Sequence, residues 1–174
     1  MDVEAHFERF VRGSTDSLFR TAVLLTADVG DAQELLQDVL VRLYPKWAKV
    51  AATRSPLAYV RRSLVNRYVS GRRSPARLVR HLREGDDRGA PSDDFTQLID
   101  RAQLTDLLAP LSPKQRAAIV LRYFEDLPDD EIASIVGCKP ATVRSLVSRG
   151  LLVMRGRVPT NAIAPPGGSR GSRG

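Results

Sequence analysis

Two short apolar repeats separated by a single glycine constrain this chain more than any other feature. In EDLPDDEIASIVGCKPATVRSLVSRGL, Ile132, Ala133, Ile135 and Val136 recur at helical spacing, Gly137 interrupts them, and Val143, Val147, Leu151 and then Met154 resume the pattern. Pro128-Asp129-Asp130-Glu131 is one helix start and Pro140 or Ala141 is the next, so only a tight turn fits between the two helices. The spacing predicts a helix-turn-helix. At about 100° per residue, Thr142, Ser145, Leu146 and Arg149 lie on a different face from Val143 and Val147, and Thr142, Ser145 and Arg149 can face a major groove. Lys139, Arg144 and Arg155 flank that face and suit phosphates.

The rest of the chain shows the same helical period. Phe7, Phe10, Val11, Leu18, Phe19, Val23, Leu24 and Leu25 predict two N-terminal helices. Asp31, three residues before Glu34, forms a capping pair that opens a helix carrying Leu35, Leu36, Val39, Leu40 and Leu43, with Pro45 ending it. Ser55-Pro56 starts another helix, running to about Gly71, with Leu57, Val60, Leu64 and Tyr68 on one face and Tyr59, Arg62, Asn66 and Arg73 on the other. Trp47, alone just past a helix end, reads as a core anchor rather than a base-stacking platform. Periodicity resumes from Leu98 to Leu108, and Ser112-Pro113-Lys114-Gln115 is a capping box with proline at the first helical position.

An all-α chain of two small helical modules follows: 1–73 and 98–157, joined by a flexible linker, 74–97, rich in Gly, Pro, Ser and charge, and followed by a disordered tail, 158–174. Modules this small bury only about 60% of their extended-chain surface, so each is expected to be marginally stable and to lean on a partner.

Charge then narrows the function. The net charge is +7 over 174 residues. Its distribution says more than the total: nine arginines lie between Arg54 and Arg83 with no acid among them, and Lys139 to Val158 is a second acid-free run. Asp16, Asp28, Asp31, Glu34 and Asp38 make the first forty residues acidic by contrast. Two cationic faces suit nucleic acid, and an aromatic or amide beside the guanidinium groups can engage an unstacked base. Catalytic and metal readings find no footing. His6 and His81 are the only histidines and Cys138 the only cysteine, none in a ligand spacing, and no phosphate-binding glycine loop occurs. No cofactor and no metal are expected. No apolar run approaches the roughly twenty residues that span a bilayer, so no membrane insertion and a cytoplasmic site of action are expected.

The order of these elements resembles the extracytoplasmic-function group of the bacterial sigma-70 family, particularly its small actinobacterial members. DAQELLQDVLVRLYPKW resembles region 2.2, SPLAYVRRSLVNRYVSGRR the region 2.3 to 2.4 helix, and LSPKQRAAIVLRYFEDLPDDEIASIVGCKPATVRSLVSRGLLVMR region 4. The resemblance implies a transcription initiation factor rather than an enzyme. It implies docking on core RNA polymerase, at the beta-prime clamp helices and the beta subunit, through Glu34, Leu36, Gln37, Asp38 and Leu40. It further implies that the loop AKVAATR holds a flipped base, that Tyr59, Arg62, Asn66 and Arg73 hold the melted minus-10 strand, and that Lys139, Thr142, Arg144, Ser145, Arg149 and Arg155 meet the minus-35 duplex. An anti-sigma factor is a further partner the resemblance admits. Leu146 departs from the family pattern, which usually has a polar or basic residue there. The alternative is a helix-turn-helix regulator acting as a dimer on duplex DNA without replacing sigma, which accounts for one basic face but not both.

Overall fold

A computed structural model of the chain describes residues 2–71 and 103–157, helices joined by short turns and irregular segments, with no strand among them. The expected linker, the tail, Arg73 and the start of the second apolar series lie outside the described residues.

Helix α1 spans Val3–Thr26 as one continuous element, where the periodicity had predicted two. Gly13, with nothing near the position of an added Cβ, carries the chain through the Gly-Ser-Thr segment, and the Thr15 hydroxyl donates back to the Val11 carbonyl at 2.6 Å. Asp2 caps the N-terminus and left-handed Ala27 ends the helix, its amide bonded to the Val23 carbonyl. Helix α2, Val29–Leu43, begins earlier than the Asp31–Glu34 pair implied. Asp28 is the cap and accepts from the Asp31 amide at 2.7 Å, placing Asp31 inside the first turn. Pro45 falls in a 3-10 turn, Tyr44–Lys46, which leads into the short helix α3, Trp47–Ala51. Helix α4, Pro56–Gly71, starts at Ser55, whose hydroxyl accepts from the Ala58 amide.

Trp47 organises this half. It is 1% exposed and donates its indole N–H to Nδ1 of His6 at 3.0 Å, with Phe7 and Phe10 of α1 against its ring. The core-anchor reading therefore holds.

In the second half, residues 103–108 are helical. Helix α5, Pro113–Tyr123, carries the complete capping box, Ser112 and Gln115 each satisfying the other's backbone amide. Helix α6, Asp129–Val136, starts with three acids in its first turn, which suit the positive end of the helix dipole. Gly137 closes it at φ 73°, where a side chain would be strained, and both Gly137 and Cys138 donate to the Ala133 carbonyl. Helix α7, Pro140–Arg155, crosses α5 so closely that a Cβ on Gly150 would sit 2.6 Å from the Ile119 methyl.

The two halves do not stand apart. Helix α1 packs against α5, and α4 packs against both α5 and α6, so one buried cluster runs from Leu18 and Leu25 through Val60 and Leu64 to Ala117, Val120 and Ile132. Burial of this order stabilises by about 1.5–3 kcal/mol per large aliphatic side chain before entropy is counted.

Candidate nucleic-acid interface

Helix α7 buries Val143, Val147 and Gly150, and that registration turns Thr142, Ser145 and Arg149 outward, all exposed and on one face. Lys139 at the N-cap and Arg155 in the last turn are exposed beside them. Arg144 is also exposed, and its guanidinium lies 3.7 Å from Asp129 of α6, which pairs with Arg122 as well. The basic edge of the motif is thus tied to the helix in front of it. Leu146, expected on the outer face, is half-buried and packs against the core instead of standing fully out with the triad.

On α4, Val60, Leu64, Val65 and Tyr68 are buried, and Tyr59, Arg62 and Asn66 come out together on the opposite side. Tyr59 is 41% exposed, an aromatic ring held in water. Arg62 is not idle: its Nη2 donates to the Ser134 carbonyl and hydroxyl at 3.2 and 3.1 Å. Beside the N-terminus of α4 lies an open cleft lined by His6, Arg9, Phe10 and Ser14 of α1 and by Arg54, Ser55, Pro56 and Leu57. The segment AKVAATR is not the loop expected: Ala48–Ala51 lie in α3 with Val50 buried, so that of this segment only Arg54 lines the cleft, and α1 supplies much of the rest. Arg9 lies outside the long arginine run, and only the fold brings it to Arg54.

The α2 surface departs from expectation in one residue. Glu34 and Gln37 are exposed and Leu40 is partly covered, but Leu36 is 6% exposed, facing the core. It cannot present a contact surface, because the broad apolar stripe of α2 packs on both α1 and α4. Asp38 accepts from Arg42 one turn on at 2.9 Å and from Arg67 of α4 at 2.5 Å. Burial works to raise its pKa, but the hydrogen bonds and charges of Arg42 and Arg67 outweigh this and hold the carboxyl below its ordinary value. No group of His, Cys, Asp and Glu that could hold a metal occurs among the described residues.

This geometry has close counterparts. Residues 101–154 match the family described as sigma-70, region 4, which spans α5 to α7 and the turn between α6 and α7. Over 150 residues the chain is 40% identical to the RNA polymerase sigma-E factor of Streptomyces avermitilis, covering 86% of this chain and 83% of the relative. The sigma-E factor of Streptomyces coelicolor is 39% identical, with 86% and 84% covered. The chain belongs to the sigma-70 family of RNA polymerase sigma factors. It is an extracytoplasmic-function sigma factor of actinobacterial type, and thus a transcription initiation factor. Its fold also matches the sigma factor RpoE solved in complex with the anti-sigma factor NepR from Bartonella quintana, with a TM-score of 0.65 at 23% identity, covering 87% of this chain and 95% of that one. In this sigma factor the exposed face of α4 meets α6 of the region 4 match through Arg62 and Ser134. No described helix is long and apolar enough to cross a membrane.

Proposed function

We propose that this sigma factor works through two separate DNA contacts and one polymerase contact, without catalytic chemistry of its own, in the cytoplasm. The working units are residues 1–73 and 98–157, with 74–97 as the tether between them and 158–174 as a tail. Thr142, Ser145 and Arg149 read base edges of the minus-35 duplex, while Lys139, Arg144 and Arg155 hold its phosphates. Tyr59, Arg62, Asn66 and Arg73 hold the melted minus-10 strand, with Arg9 and Arg54 at the cleft where an extruded base can lodge. Glu34, Gln37 and Asp38, with Leu40 beside them, meet the beta-prime clamp helices; the beta subunit receives the second unit. An anti-sigma factor, the kind of partner with which the Bartonella relative was solved, is a further candidate.

The observation that carries this reading is the outward triad of α7 standing on a buried Val143, Val147 and Gly150 seam, inside the region 4 match. Supporting it is the second cationic face on α4, which a simple duplex-binding regulator would not need. Run-off transcription with purified core polymerase, followed by start-site mapping, tests the proposal. Start sites sharing common minus-35 and minus-10 sequences are expected. Core polymerase that gains no start sites from the added protein would refute the reading.

A further inference from the structure

Asp129 is the first residue of α6, and its carboxylate faces arginines from two other helices. Arg122, in the last turn of α5, donates to one oxygen, and Arg144 of α7 lies 3.7 Å from the other. The two pairs are unequal. The side chains of Arg122 and Asp129 are 26% and 23% exposed, so theirs is a charge-assisted hydrogen bond partly withdrawn from water. Arg144 is 64% exposed and beyond hydrogen-bond reach, a pair that solvent weakens. Arg122 is held firmly, while Arg144 only leans.

Counting charge gives the cluster its meaning. Two guanidinium groups and one carboxylate leave one net positive charge where the same arginines alone would present two. Asp129 lies well inside the screening length of about 8 Å at physiological salt, so an anion that approaches Arg144 is repelled by the carboxylate behind it. The start of α6 does not depend on this carboxylate. Its N-cap is Pro128, with no side-chain cap, and Asp130 and Glu131 stand in the same first turn to meet the helix dipole. Among the described residues, Lys139, Arg149 and Arg155 have no acid within ion-pair range, so the restraint falls on one edge of the motif.

We propose that Asp129 sets the strength of sequence-independent DNA binding by this motif, keeping Arg122 as a phosphate ligand in reserve and Arg144 at part strength. The inference rests on the functional reading above, which gives Arg144 a phosphate. Phosphate contacts add affinity on any sequence, whereas discrimination belongs to Thr142, Ser145 and Arg149. A carboxylate that limits the first without touching the second lets the factor leave wrong sites sooner, and wrong sites vastly outnumber right ones.

The test uses holoenzyme carrying the full chain, titrated over a salt series with a promoter duplex and with the same duplex scrambled at minus-35. Asp129→Asn frees both guanidinium groups. Affinity should rise by about three- to tenfold on both duplexes, and the salt dependence should steepen by about 0.9 log units per log unit, with the ratio between duplexes unchanged. Adding Arg122→Gln to Asp129→Asn should abolish the steepening. Arg122→Gln alone leaves the carboxylate to Arg144 and should weaken both duplexes by about two- to threefold. Asp129→Glu keeps the charge and should bind as wild type does. If Asp129 served only to seat α6, its loss would instead lower the ratio between duplexes and leave the salt dependence as it was. That result would overturn the proposal alone, as would unchanged binding by Asp129→Asn while Arg144→Ala still flattens the salt dependence. Should circular dichroism show Asp129→Asn unfolded, Arg122→Gln decides, and equal or tighter binding by it would overturn the proposal. No response to Arg144→Ala on either duplex would overturn the phosphate assignment itself, and the part given to Asp129 with it.

Discussion

At the scale of single residues, role follows from what each side chain is already bonded to. Arg149 is free of any ion pair among the described residues and stands with Thr142 and Ser145, whereas Arg144 is tethered near Asp129 at the edge of the motif. Arg149→Ala should therefore lower discrimination between cognate and altered minus-35 sequences by about 1–3 kcal/mol. Arg144→Ala should weaken all sequences alike and reduce the salt slope by about one. Competition binding by holoenzyme against a panel of minus-35 variants separates the two, and a reversed pattern would exchange their roles. Asp38 gives a pH prediction with a definite sign. Its folded-state pKa is held down by Arg42 and Arg67 against the opposing effect of burial. Its contribution is thus fully present above the unfolded carboxylate pKa and lost as pH falls through the lower folded value. Urea melts across the acid range should show this loss in the wild type and not in Asp38→Asn, the difference staying below about 1 kcal/mol because the pair is largely solvated.

At the scale of elements, the sequence was most legible where local chemistry alone decides the structure. The Ser112–Gln115 capping box, the Gly137 stop and the outward triad of α7 all depend on neighbours within a few residues, and all three stand where the residue pattern put them. The misreadings were also local, but undecidable locally. Asp28 and Asp31 are both acceptable caps; the Asp28 carboxylate accepts from the Asp31 amide, which leaves Asp31 inside the first turn. The resemblance puts Leu36 on the polymerase-docking surface, but α2 is covered on two sides and buries it; period marks a position as apolar without showing how many partners cover it. The close approach of α5 and α7 at Gly150 leaves no trace in periodicity either. Gly150→Leu should destabilise by about 1–3 kcal/mol through overpacking against Ile119. Trp47→Ala should lose about 3–5 kcal/mol by emptying the pocket among His6, Phe7 and Phe10. Chemical denaturation of both variants checks these values, and a Trp47→Ala loss below 1 kcal/mol would mean that the ring is not the anchor of its half.

At the scale of the whole molecule, the all-helical class and the two cationic faces were readable from patterning and from the distribution of arginine. The union of the two halves was not. Glu125 lies in a turn and Arg116 in a helix, positions where a charged residue ordinarily meets water, and only the assembled fold shows them spanning the boundary. If both faces neutralise phosphates as proposed, holoenzyme binding to a promoter should fall with salt by about 0.7–0.9 log units per log unit for each phosphate contacted, and a flat response would exclude both faces from the interface. In the proposed function, polymerase is the device that sets the two faces on one promoter. A mobility shift with a mapped promoter duplex, run with and without core polymerase, tests that directly. Sequence-specific retention only when core enzyme is present is the predicted result; full sequence preference by the free protein would contradict it.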